Sequence, residues 1–223
     1  MFQTFSNIHI FVLLICLVLS GILYFLRNRF FNQLRFFIAF GLIFHQIIFY
    51  IYHFYNQTFL IQKNLPLHLC SFSLFLVALT LLTKNPKLIK TAIFWCPISA
   101  FLAVLLPDLT SQVFSFNFFE FFFSHIFIIF GSILIYTSKD LRLNLNFYDI
   151  LKSIGLLLLL SFSLIYPINI FLESNYMYLI DAPTISGAKV FPDFPFHIFY
   201  LFIILTMVFL VEFLIYKFLD DRN

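Results

Sequence analysis

The run LPLHLC, Leu65–Cys70, places a proline, an imidazole and a thiol within six positions of a chain that is otherwise mostly apolar. A cysteine near a helix N-terminus, with imidazole in reach, is a setting that favours the reactive thiolate. A nucleophile, a base and an orienting acid form the general pattern of acyl transfer. Cys70 supplies the nucleophile, His125 or His68 the base, and Asp108 the acid. His53, Glu120, Asn175 and Tyr176 are candidate substrate contacts, and Asn175 or Tyr176 can donate to an oxyanion. On a helix, positions i and i+2 point about 200° apart. His68 and Cys70 therefore face each other only if the first turn is irregular, which leaves His125 as the better-placed base. No HExxH, no histidine pair at i, i+4 and no CxxC occurs, so neither a metal nor a cofactor is expected. The plainer reading of each histidine is a hydrogen bond across helices. For Cys16 and Cys96 it is apolar packing.

These residues must be held by elements that suit their solvent. The chain is 62% hydrophobic and 10% charged, too few charges for a water-facing surface. Lipid must cover much of it. A net charge of +3 gives no reason to expect nucleic acid.

Seven stretches reach the roughly 20 apolar residues that a spanning helix needs. They lie near 8–26, 36–55, 64–83, 87–106, 117–137, 148–171 and 195–217. The first lacks a signal-peptide pattern and reads as a retained span. Asn64 is placed to cap the third helix, with Pro66 in its first turn. Eleven basic residues fall on one side: Arg27, Arg29, Arg35, Lys84, Lys87, Lys90, Lys139, Arg142, Lys152, Lys217 and Arg222. Only Lys63 and Lys189 fall on the other. The positive-inside rule puts the N-terminus outside and the C-terminus in the cytoplasm. The expected fold is an all-α, seven-transmembrane-helix bundle forming a single integral domain over 1–223, multi-pass in the cell membrane. All six histidines then lie in its middle or outer half. The long outer loop, about 172–194, contains proline and glycine that argue against helix, and aromatic residues suited to the membrane interface.

LPLHLC, the Pro107–Asp108 pair, NYMYL at Asn175–Leu179 and FPDFPFHIFY at Phe191–Tyr200 together resemble the YwaF-like integral membrane proteins. The likeness covers essentially the whole chain. Where that family often carries glycine and tryptophan in its last motif, Phe191, Phe194 and Phe196 stand here. The family is related to a vertebrate transmembrane acyltransferase with a cysteine active centre, which remodels ether phospholipids. The resemblance implies that Cys70 is the acyl-accepting thiol and His68 the motif histidine. The expected function is a cysteine-dependent phospholipid acyltransferase, with phospholipid or lysophospholipid as partner. The alternatives are a lipid hydrolase working through the same thioester, or a binding protein or transporter. The midplane pair His45 and Gln46 favours the transporter, because transport sites lie near the bilayer centre.

Overall fold

A computed structural model describes residues 2–109, 111–185 and 188–220. The chain folds into helices α1 (Asn7–Leu26), α2 (Phe31–Tyr55), α3 (Leu69–Thr83), α4 (Pro86–Leu105), α5 (Phe116–Thr137), α6 (Phe147–Leu160), α7 (Tyr166–Leu172) and α8 (Phe196–Asp220). A π-helical turn, Ser161–Ile165, joins α6 and α7 into one span. Pro167 explains that turn: it lacks an N–H, and its ring would strike the carbonyl four residues back in a regular helix. Six segments of the described residues are long and apolar enough to cross a membrane, and α3 is a shorter apolar seventh.

Side chains set the helix ends. Ser6 and Ser115 accept hydrogen bonds from the His9 and Phe118 N–H groups at the starts of α1 and α5. Lys84 adopts a left-handed conformation, φ 54°, and closes α3. Asn85 then caps α4, with Pro86 in its first turn. Asn146 and Asp149 form a capping box on α6, and Asp149 also pairs with Lys90 of α4 at 2.9 Å.

The core is built on α3, α4 and α5, which pack on one another. Helix α2 packs on α3 and α5, α1 on α5, α6 on α4, and α8 on α4 and α6. Close approach of α3 to α5 depends on Gly131, where an added Cβ would overlap Val77 Cγ1. The outward faces carry Phe25, Leu17, Phe171 and Leu214, all exposed, as a lipid-covered surface requires. Basic residues from the α1–α2, α3–α4 and α5–α6 connections gather at one end of the bundle. The 172–194 loop lies at the other, and Arg222 falls outside the described residues. That loop holds a 3-10 turn, Tyr176–Tyr178, and a two-residue antiparallel pairing of Thr184–Ile185 with Ala188–Lys189.

The third span departs from expectation. Helix α3 begins at Leu69, not near Asn64. Asn64 does not cap it; its Oδ1 accepts the Leu60 N–H at 2.7 Å and closes a turn of its own. Pro66 lies in irregular chain, and His68 is extended at the N-cap position, φ −79° and ψ 154°. The cause is competition for backbone groups: the Leu65 carbonyl, which a helix from Asn64 would pair with the Leu69 N–H, accepts the Leu67 N–H at 2.8 Å instead. The Leu65 N–H donates to the Tyr176 hydroxyl at 3.1 Å, and that hydroxyl donates to the Ile61 carbonyl. Fifteen residues of helix rise only about 22 Å at 1.5 Å each, short of the roughly 30 Å hydrocarbon core. Non-helical chain at membrane depth persists only where protein satisfies its backbone. Tyr176, fully buried, does that here.

Candidate functional site

Because α3 starts late, its N-terminus opens inside the bundle. Cys70 is the second residue of this helix. It sits level with His45, ten residues before the end of α2, and His125, nine residues into α5. These residues meet at a cavity of about 70 Å³. Its polar lining is His45 and Gln46 from α2, Cys70 and Ser71 from α3, and Glu120, Ser124 and His125 from α5. The first intrahelical bond of α3 is Phe72 N–H to the His68 carbonyl, at 3.1 Å. The N–H groups of Cys70 and Ser71 therefore have no helical partner.

The two cavity imidazoles are oriented by neighbouring carbonyls of α5. His125 Nδ1 lies 2.6 Å from the Phe121 carbonyl. A carbonyl only accepts, so Nδ1 carries the proton and Nε2 the lone pair. His45 Nε2 lies 3.1 Å from the Glu120 carbonyl and 3.5 Å from Glu120 Oε1, which gives it the opposite tautomer. Phe123 stacks on the His45 ring, with centroids 5.4 Å apart.

The other expected residues sit elsewhere. His68 belongs to a polar arm under the 172–194 loop. Its Nδ1 accepts the Met177 N–H at 3.4 Å, and its ring meets Tyr176 and Tyr178 at 5.2 and 5.8 Å. Tyr178 donates to Asp108 Oδ2 at 3.2 Å. Burial, and then the Asp108 carboxylate, push the pKa of Tyr178 up, so its hydroxyl stays a donor. Asp108 thus reaches Tyr178 and the field of His68, and does not line the Cys70 cavity. His53 bonds Thr58 at 2.8 Å beyond the cavity. Asn175 folds its own loop, accepting the Ile180 and Asp181 N–H groups. Tyr176 holds the irregular chain before α3. His9 and His197 bond the Val104 and Tyr178 carbonyls.

Tyr178, Ser71 and Asn169 were not singled out in the sequence. Asn169, buried in α7, accepts the Tyr176 N–H at 2.8 Å and donates to its carbonyl at 2.9 Å, anchoring the loop. Of these three, only Tyr178 falls within a motif that the sequence offered, NYMYL. Glu212, buried in α8, was also missed, although an acid within an apolar span is a default marker of function.

Six spanning segments and a shorter apolar helix, with a half-buried thiol, two imidazoles and a carboxyl gathered at one cavity, define a multi-pass membrane protein with a candidate reactive centre. The chain belongs to the TMEM164 family, whose model matches residues 2–213 and so takes in every residue of the cavity. No curated protein and no solved structure matches it.

Proposed function

We propose that this protein is a cysteine-dependent phospholipid acyltransferase of the cell membrane, oriented with its N-terminus outside and the cavity on the outer-leaflet side. Its partners are phospholipid and lysophospholipid. Family membership is consistent with this reading, as is the resemblance to YwaF-like proteins and their vertebrate relative. The observation that carries it is the late start of α3, which sets Cys70 in the first turn of a helix inside the bundle, in one cavity with His125.

In the proposed first half-reaction, the Cys70 sulfur attacks the ester carbonyl of a phospholipid. His125 Nε2 takes the thiol proton. The C–O bond to glycerol breaks, the lysophospholipid leaves as its alcohol with that proton, and the acyl chain stays on sulfur as a thioester. The first-turn N–H groups of Cys70 and Ser71 are donors for the oxyanion, the kind of fixed dipole that stabilises developing charge. They take the role expected of Asn175 and Tyr176, whose hydrogen bonds are made within the loop and the pre-α3 chain. Tyr178 joins Asp108 to the His68 ring in the polar arm under the loop, outside the cavity lining. Glu120 contacts the reacting group, and His53 lies on the lipid's approach. A cavity of about 70 Å³ is far below the roughly 300–1,000 Å³ of a pocket that encloses a drug-sized ligand. It suits the reacting ester, with the chains left in the bilayer.

The test is chain transfer from a labelled phospholipid to lysophospholipid in vesicles containing the purified protein. Cys70→Ser is expected to abolish it, and transfer at the wild-type rate overturns the reading. Solute binding that survives Cys70→Ser, in a protein without transferase activity, supports the binding-protein alternative.

A further inference from the structure

The chain entering α3 has two ways to satisfy its backbone, and only one of them leaves donors at Cys70. A helix with Pro66 in its first turn would pair the N–H groups of Leu69, Cys70 and Ser71 with the carbonyls of Leu65, Pro66 and Leu67, each four residues back. The local sequence suits that longer helix, since proline is favoured in a first turn, where its missing N–H is not needed. The bilayer suits it too. Residues 66–68 would add about 4.5 Å to a helix that falls short of the hydrocarbon core. The structure shows the shorter helix instead. His68 is extended, and the first helical bond is that of the Phe72 N–H to the His68 carbonyl.

The turn Tyr176–Tyr178, from the far end of the chain, is what grips this segment. The Tyr176 hydroxyl accepts the Leu65 N–H at 3.1 Å and donates to the Ile61 carbonyl. The next residue, Met177, donates its N–H to His68 Nδ1 at 3.4 Å. One turn thus holds both ends of the stretch that would otherwise wind up. The turn is itself braced. Asn169 of α7 accepts the Tyr176 N–H and donates to its carbonyl, and Ser174 donates to Asn169 Oδ1 at 2.9 Å. Met177 and Tyr178 take φ of 57° and 54°, left-handed conformations that are uncommon without glycine. Such strain persists only where surrounding contacts over-determine it, and it clusters at functional sites.

We infer that Tyr176 is a positioning residue: its hydroxyl keeps the chain before α3 out of the helix, so that the N–H groups of Cys70 and Ser71 stay without helical partners and serve the oxyanion. The catalytic consequence rests on the acyltransferase reading above; the length of α3 rests on the hydrogen bonds alone. Without the hydroxyl, residues 66–68 join the helix. The Cys70 N–H then turns to the Pro66 carbonyl and the Ser71 N–H to the Leu67 carbonyl. The thiol keeps its place in the cavity and loses its donors.

Tyr176→Phe removes the hydroxyl and keeps the ring. In phosphatidylcholine vesicles with lysophosphatidylcholine as acceptor, it is expected to lower kcat for chain transfer about 100-fold, the scale for a lost oxyanion donor. KM is expected to stay unchanged, as for an interaction made only in the transition state. Amide hydrogen exchange reads the cause by its sign. A longer α3 slows exchange at Cys70 and Ser71, whereas a merely loosened loop speeds it. Leu69→Pro supplies the rescue. Proline suits the first position of the short helix, after an extended His68. In the longer helix it withholds the N–H due to the Leu65 carbonyl, and its ring strikes that carbonyl. Added to Tyr176→Phe, Leu69→Pro is expected to bring transfer back close to the wild-type rate. Tyr176→Phe that transfers at the wild-type rate overturns the inference. So does a slow Tyr176→Phe whose exchange at Cys70 and Ser71 is unchanged or faster, and so does a folded double variant that stays slow. Wild-type protein that transfers no chain overturns the acyltransferase reading instead, and the exchange measurement on Tyr176→Phe still decides what sets the length of α3.

Discussion

Cys70, half-buried, and Cys96, buried, are both thiols within the helical bundle, and they differ in what surrounds them. Cys96 lies in the middle of α4, fully buried, with its S–H toward the Ser73 carbonyl at 3.7 Å. Ser73 donates to the Trp95 carbonyl, and Ser99 donates to Ser73 at 2.8 Å. Nearby, Pro97 withholds the N–H that would serve the Ile93 carbonyl, and Tyr136 of α5 donates to it instead at 2.8 Å. Each backbone gap in this layer is filled by a side chain. Among the described residues, no imidazole takes part in its hydrogen bonds. Cys70 instead stands in the first turn of α3 and shares a cavity with two oriented imidazoles and a carboxyl. The same side chain packs in one place and is set up for chemistry in the other. The local difference is a helix interior against a helix beginning.

The sharpest way to break this contrast is to exchange the sulfurs for oxygen. Cys70→Ser is expected to cut acyl transfer at least about a thousandfold, as loss of a nucleophile does, while Cys96→Ser stays within about threefold; both are read in the vesicle transfer assay. Equal losses would erase the distinction. Labelling sharpens it further. A lipid-like thiol-reactive probe is expected to modify Cys70 and leave Cys16 and Cys96 unmodified in the folded protein, and peptide mapping reads the site. Next in size is His125→Gln, expected to slow thioester formation about 100-fold or more, with no counterpart near Cys96. Gly131→Ala tests the frame that both thiols share. The new methyl meets Val77, and overpacking of this kind costs about 1–3 kcal/mol, read as a lower melting temperature in detergent. The smallest effect is expected from Tyr136→Phe. It strands the Ile93 carbonyl beside Cys96, a loss of about 1–3 kcal/mol, with transfer activity retained. If that variant disables transfer as Cys70→Ser does, the packing layer and the reactive centre are one unit.

Much of the fold was legible in the sequence because lipid imposes a simple rule. A backbone crossing hydrocarbon must satisfy itself, so long apolar runs become helices. Six of the seven expected spans match the helices to within a few residues at most ends. The start of α2 at Phe31, five residues earlier than expected, extends its span. The third span failed at its outer end for a reason no local rule contains. Asn64 and Pro66 are good helix-start residues, yet the Asn64 side chain turns back to Leu60, and the Tyr176 hydroxyl, 111 positions from Leu65, anchors the chain on a different course.

The site was legible in the same uneven way. Cys70, Glu120 and His125 line one cavity, whereas Asp108, Asn175 and Tyr176 went to the loop arm. Position along a helix gives depth, but not which face turns inward. The sequence by itself determined the bundle, its helical spans and the one-sided distribution of its basic residues, because hydropathy and charge act through solvent and need no partner. Only the tertiary structure decided that α3 begins at Leu69, that His45 and His125 hold opposite tautomers, and that the Cys70 sulfur shares their cavity. Each of these depends on a hydrogen bond or a contact between residues far apart in the chain, and such pairings are settled only when the helices pack.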